Sequence, residues 1–363
     1  MGSAMGLKVY ERYLAREIYA ATALVLLAFL MLFGFFDLIH EFEDIGKGGY
    51  QLQHAAGFVL LSVPGHSYEL FPIAVLIGTL YALTLLAHHS EIMVLRTAGL
   101  STVSLLVTLA KVGMTFIVLT FLIGEYVAPP AEKAAQQLRL KALSSMVAQE
   151  FRSGLWIKDE MSFVNVRYVL PDTHLRGVRI YEFDKQHQLR SISDAEEGEF
   201  QAPDRWRLSR VMRTVFEGDA ARVSRMPDLI WHSALTPNIL SVLMVKPERM
   251  SFVNLFQYVR HLEENQQRAQ RYSIALWKKL VYPLAALVMM ALALPFAYMQ
   301  DRQGAVSLKV FAGIMLGITF HMLNGLFSSL GAINNWTPFY SAITPSGLFL
   351  LAAAGMLWWV ERR

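Results

Sequence analysis

The chain has 363 residues, of which 54% are hydrophobic and 17% charged, with a formal net charge of +4. A soluble domain carries about 25% charge; here the deficit lies in long apolar segments, so the chain reads as a multispan membrane protein with one polar insert. The absence of cysteine excludes disulfides and thiolate metal sites, and so mild a charge belongs to membrane topology and leaves no nucleic-acid footprint.

In chain order, MGSAMG (residues 1–6) reads as an expression scar. Residues 7–130 hold three apolar segments, Ile18–Phe36, roughly Ala56–Ala87 and about Leu100–Tyr126, each long enough for a hydrocarbon core of ~30 Å. SVPGHSYE, Ser62–Glu69, predicts a kink or a hydrated stretch in the second. Lys111, inside the third, is expected to snorkel toward the nearer face. Residues 274–363 hold three more segments: Leu280–Met299, Val310–Leu330 and Pro338–Val360. With the N-terminus in the cytoplasm, Lys8–Arg16, His88–Arg96, Asp301–Lys309 and the C-terminal tail all carry Lys or Arg. The outer loops Asp37–Gln53 and Gly331–Thr337 hold one lysine between them, which satisfies the positive-inside rule.

The insert, 151–247, lies outside and reads as antiparallel β. Short alternating runs recur (GLWIKD, MSFVNVRYVL, LRGVRIYEFD, QLRSISDAEEGEF, RWRLSRVMRTVFEG, ARVSRMPDLIWHS). Turn signals separate them at Pro171-Asp172, Asp184-Lys185, Ala202-Pro203-Asp204 and Glu217-Gly218-Asp219, a pattern that predicts a sandwich or partly open barrel. Connecting helices are expected at 131–150 and 248–273.

No stretch carries bond-making chemistry. GKGGY, Gly46–Tyr50, lacks the spacing and context of a phosphate loop, and neither G-x-S-x-G nor H-E-x-x-H occurs. His88 and His89 diverge on a helix. His321 and Asn324, within the fifth span, serve either as interhelical glue or as the lining of a substrate path. The outer loop DLIHEFEDIGKGGY sets Asp37, Glu41, Glu43 and Asp44 against Lys47, and is either a solvated loop or a contact for divalent cations or a basic partner. LLAHHSEIMVLRTAG, Leu85–Gly99, is longer than a turn requires. As a helix at about 87–98 it aligns Glu91, Leu95 and Ala98 on one side, with Ile92, Arg96 and Gly99 beside them and Met93 and Val94 completing an apolar band. It is either an ordinary amphipathic loop or a lateral helix that enters a groove on a soluble motor.

LKVYERYLAREI near the start, LLSVP (Leu60–Pro64), LFPIAVLIG (Leu70–Gly78), SEIMVLRTAG (Ser90–Gly99) and GEYVAP (Gly124–Pro129), in the order three spans, β insert, three spans, resemble the LptF/LptG permease family over nearly the whole chain. The resemblance implies an α-helical polytopic membrane protein with six transmembrane helices and an inserted periplasmic all-β jellyroll-like domain, in the inner membrane of a Gram-negative bacterium. It implies a heterodimer with LptF above an LptB ATPase dimer, which holds the ATP and Mg; the permease binds no cofactor or metal and is not an enzyme. The implied substrate is lipopolysaccharide, expected to pass through the jellyroll to the single-span protein LptC and the LptA bridge.

The same resemblance makes 87–98 a coupling helix, with Glu91, Ile92, Met93, Leu95 and Arg96 meeting the ATPase. Spans one, two and five would line the lipid cavity: a family motif places Leu70 and Phe71 there, and span position suggests Leu30, Phe33, Phe311 and Phe327. Where relatives carry lysines near the outer end of the first span, this chain has Asp37, Glu43 and Asp44, so Lys47, a bridging cation or a partner protein takes over. Gly65 stands where another lysine is expected. The alternatives are a permease of similar architecture for another lipid or lipoprotein, and a non-transporting scaffold or sensor whose β domain binds a ligand.

Overall fold

The computed structural model describes residues 8–47, 49–143, 154–159, 161–169, 174–184, 186, 188–201, 204–217, 220–233, 247–298 and 305–362. The expectations for 1–6 and for 144–153, the turn residues 171–173, 185, 202–203 and 218–219, and residues 301–304 of a cytoplasmic segment lie outside the described residues.

Among the described residues six helices are long and apolar enough to cross a membrane: Val9–Phe42, Leu52–His88, Thr102–Arg139, Gln270–Phe296, Val306–Ile333 and Pro338–Val360. They are numbered spans 1 to 6 below. Span 2 is apolar on every side, as a helix at the centre of a bundle must be; 83% of its apolar window is buried, against 6% for span 1. Spans 1, 4 and 5 all pack on it. Its SVPGHSYE stretch runs on as α-helix through Pro64 and Pro72. The hydroxyls of Ser62 and Ser67 donate to the carbonyls of Phe58 and Val63 one turn back, at 3.0 and 2.8 Å, which keeps polar atoms satisfied inside the apolar bundle.

Lys111 does more than snorkel. Its Nζ donates to Glu11 Oε1 at 2.7 Å, and the Glu11 side chain is only 4% exposed. A carboxylate buried that deeply requires a cation, and span 3 supplies it to span 1.

Span 3 continues through a π-helical turn, Ile123–Val127, into Ala128–Ala142. The β insert follows as β1 (Leu155–Asp159), β2 (Ser162–Val169), β3 (Leu175–Phe183), β4 (Leu189–Gln201), β5 (Arg205–Glu217) and β6 (Ala220–His232). Each strand falls on one of the predicted alternating runs. All pair antiparallel in chain order, β1-β2-β3-β4-β5-β6. A jellyroll passes strands between two sheets; among the described residues there is instead one open up-and-down sheet. Short connections explain the difference, because a link of two to five residues lets a strand pair only with its neighbours in the chain. At the β3–β4 turn the Asp184 carboxylate accepts the amides of Gln186 and Gln188, both at 2.9 Å. Val164, Val166, Leu175, Val178, Ile180, Trp206, Leu208 and Trp231 form the apolar face, and alternation sends Arg176 and Arg179 to the other side.

The return path is a 3-10 turn, Pro247–Arg249, and a helix, Phe252–Glu264. The single connecting helix expected over 248–273 is broken here. Gln266 takes φ +53, its amide bonds Glu263 O at 3.0 Å, and the Gln267 amide bonds Leu262 O at 2.8 Å, a Schellman stop.

Candidate functional site

The segment Glu91–Thr97 is a two-turn helix bounded by two left-handed residues. Ser90, at φ +60, ends the turn leaving span 2; Gly99, at φ +94, closes a second Schellman stop, with its amide on Arg96 O and that of Leu100 on Leu95 O, both at 3.0 Å. The helix is two-sided. Ile92 is buried, and with Leu95 it faces Leu14, Leu83, Leu86 and Leu105 of the spans. The Arg96 guanidinium lies 4.9 Å from the ring centre of Tyr298, at the end of span 4. On the other side Met93 is 52% and Val94 63% exposed. Glu91 Oε1 accepts a long hydrogen bond from Tyr13 of span 1, at 3.4 Å. Of the five residues expected to meet a motor, Ile92 and Leu95 therefore bind the helix to its own bundle. Val94, which was not among them, is the most exposed apolar residue of the segment.

Of the expected cavity residues, Phe33 and Phe311 are exposed on spans 1 and 5, whereas Leu30 and Phe327 are half-buried. Leu70 and Phe71 are buried in the bundle, and Phe71 packs edge-on against Phe116, with centroids 5.7 Å apart. Asn324 bonds back to Phe320 O within its own helix at 3.0 Å.

The acidic rim is occupied from within the chain. Asp37 pairs with His66 of span 2 at 2.6 Å. Asp44 accepts from Lys47 at 2.9 Å and from Arg139 at 2.6 Å, and these two cations hold its carboxyl below the ordinary carboxylate range. Glu41, buried, accepts from the Tyr50 hydroxyl at 2.6 Å. Burial, and then this carboxylate, push the Tyr50 phenol well above its ordinary value, so it stays a donor. Glu43 alone is exposed and unpaired among the described residues. His66 and Arg139, which answer the acids, carry no local spacing signal that would reveal them.

A second polar cluster joins the β insert to the membrane. Arg249, 16% exposed, donates to Glu69 of span 2 at 3.0 Å and to Glu132 of span 3 at 2.9 Å. A side chain at Gly65 would meet Glu132 at 3.6 Å and Arg249 at 3.7 Å, so position 65 lies directly against this cluster. GEYVAP supplies the neighbouring contact: Glu125 accepts the amide of Phe252, at the start of the return helix, at 2.7 Å. Among the described residues no group of three or more His, Cys, Asp or Glu could hold a metal ion.

Residues 12–360 match the family described as lipopolysaccharide export system permease LptF/LptG. The chain is 30% identical over 354 residues to the lipopolysaccharide export system permease protein LptG of Haemophilus influenzae, covering 97% of this chain and 98% of that one. It is 31% identical over 357 residues to the protein of that name from Escherichia coli K12, covering 98% of each.

Proposed function

The chain belongs to the LptF/LptG family and is a non-catalytic permease subunit of an ABC transporter that exports lipopolysaccharide, spanning the inner membrane with its β domain in the periplasm; from that premise we propose how it takes up force and where it holds lipid. The two-sided helix Glu91–Thr97 carries the proposal. Its inner side is packed on spans 1, 2, 3 and 4, so displacement of the helix displaces the bundle. Its outer side, Met93 and Val94 flanked by Glu91 and Arg96, fits a groove on the LptB ATPase, where Glu91 would exchange Tyr13 for a partner arginine. ATP and Mg stay in that partner.

The lipid wall comprises Leu30, Phe33, Phe311 and Phe327, backed by Leu70 and Phe71. An LptF chain completes the cavity against the exposed faces of spans 1, 5 and 6, and LptC approaches span 1. Lys47, Glu43 and the paired Asp37 and Asp44 form the rim. In the jellyroll's role, the apolar face of the sheet conducts acyl chains onward to LptC and LptA.

The test is lipopolysaccharide extraction from proteoliposomes by the assembled complex. Glu91→Lys, or Met93→Asp with Val94→Asp, is expected to lower extraction at least tenfold and to weaken ATPase retention, with Glu91→Ala milder than Glu91→Lys. Extraction at the wild-type rate by both variants removes the helix from the coupling path.

A further inference from the structure

The β sheet carries a feature that the export path does not use. Its pairing lapses along one line across five strands. Arg167 and Gly177 fall between the rows Val166↔Val178 and Tyr168↔Arg176. Glu196 falls between Ala195, opposite Val178, and Glu197, opposite Arg176. Arg210 falls between Ser209↔Asp228 and Val211↔Met226, level with Pro227, and the β4–β5 ladder skips the same level. Gly177 and Arg210 take φ +68 and +56, and Pro227 has no N–H for the ladder. Irregularities of this kind bend strands; aligned, they crease the sheet.

Along the crease lies a cavity of about 680 Å³, lined from β2 to β6. Five strands ~4.8 Å apart make it on the order of 19 Å long. Arg167, Arg179, Arg210 and Arg225 line it, with Asp194 and Glu196 as its acids. Arg179 pairs with Asp194, and Arg210 with Glu196 at 2.9 Å and Glu197 at 3.1 Å. Arg167 and Arg225 have no ion pair among the described residues, which leaves two guanidinium charges uncompensated.

We propose that this crease binds a phosphate-bearing saccharide, the headgroup of the transported amphiphile; the proposal rests on the export function. A guanidinium fork matches phosphate oxygens in a way few other groups do. Asp194, Glu196 and the Asn165 amide between the arginines suit the hydroxyls of a sugar and repel an acidic peptide. The volume falls in the range of small-ligand clefts, ~300–1,000 Å³, and the length suits several sugar rings. Arg225 sits on the edge strand β6, so a headgroup reaches the crease around that edge while acyl chains keep to the apolar face. One sheet thus sorts an amphiphile by polarity, phosphosugar on one face and hydrocarbon on the other.

The experiment uses the full transport complex in proteoliposomes with ATP, with a photoreactive residue in place of Met212, which is 42% exposed in the crease. A second complex carries it in place of Phe33, to report lipid in the membrane groove. The probes are lipopolysaccharide, the same lipid with its saccharide phosphates removed, and the free phosphorylated oligosaccharide. Capture at position 212 is expected with the first, to fall at least tenfold with the second or in Arg167→Gln/Arg225→Gln, and to persist largely in Arg167→Lys/Arg225→Lys. The free oligosaccharide is expected to compete at position 212 and not at position 33. Three outcomes overturn the inference and leave export intact: capture at 33 without capture at 212, capture at 212 indifferent to phosphate or to the glutamine pair, and capture of an acidic protein in place of lipid. No capture at either position overturns the export function and the inference together.

Discussion

Asp44 lies between Lys47 and Arg139, and its carboxyl is held low by them. A carboxyl whose native value is depressed contributes its full stabilisation above the unfolded value, ~3.9, and loses it as pH falls through the lower native value. Asp44→Asn is therefore expected to cost about 1 kcal/mol at neutral pH and to flatten part of the acid limb below pH ~4. The measurement is the thermal midpoint of the purified protein against pH; identical acid limbs for the two proteins would remove Asp44 from the linkage. Of this arrangement the sequence displays only half. Lys47 is three positions from Asp44, within the reach of spacing arguments, but Arg139 is 95 positions away. The same limit hid Glu11 as the partner of Lys111, 100 positions apart: a charge inside a span announces that it requires a partner, not which helix brings it.

Two-residue and 3.6-residue periodicities decided which elements could be read in advance. Six alternating runs became six strands, because alternation fixes both the backbone state and the buried face; Val164 and Ile180, opposite each other, are both buried. The turn signals between the runs pair each strand with the next, but whether the sheet then closes or folds over carries no such signal, so the open meander was not foreseen. For the short cytoplasmic helix, expected at about 87–98 and found at Glu91–Thr97, the start was missed because the left-handed turn at Ser90 has no glycine to announce it, and the faces were not legible because Ile92, Met93, Val94 and Leu95 are apolar all round. Within the π-helical turn in GEYVAP position 124 has room for glycine alone: a Cβ there would overlap the buried Tyr68 ring. Gly124→Ala is expected to destabilise the protein by about 1–3 kcal/mol through overpacking. Ser251→Ala removes the cap that accepts the Asn254 amide at 3.2 Å and is expected to cost about 1 kcal/mol. Denaturation midpoints check both; a neutral Gly124→Ala would mean that Tyr68 can step aside.

At the scale of the molecule, Arg249 is where the periplasmic domain holds spans 2 and 3 at once. Arg249→Met strands Glu132, whose side chain is 5% exposed, and loss of one member of a buried pair costs about 3–5 kcal/mol. Glu69→Gln/Glu132→Gln/Arg249→Met removes the stranded charge and is expected to regain part of that stability. Both variants are expected to hydrolyse ATP in the complex while delivering less lipid per ATP, because the β domain no longer follows the bundle. Delivery per ATP equal to wild type in the triple variant would show that the domain follows the spans by another route. The six spans and the outward insert were legible from charge and hydropathy alone; this junction was not, because it is assembled from three distant segments, each unremarkable by itself.

Span 1 is seated on span 2 at one level with no clearance: a Cβ at Gly78 would lie 2.6 Å from the backbone of Thr22. Below it Leu14, Ala15, Ile18 and Ala21 are packed in, while above it the helix turns mostly outward as far as Asp37, which hydrogen-bonds His66. Mechanically this is a beam clamped at its cytoplasmic foot and latched near its tip by polar pairs, Asp37 on His66 of span 2 and Glu41 and Asp44 on Arg139 of span 3. The free arm from residue 23 to residue 42 is about 30 Å long at 1.5 Å per residue. A swing of about 20° about the clamp carries the tip roughly 10 Å, the diameter of a helix. Releasing Asp37 from His66 and Arg139 from its two carboxylates would therefore free a displacement large enough to admit an acyl chain from the side, and the foot need not leave its seat.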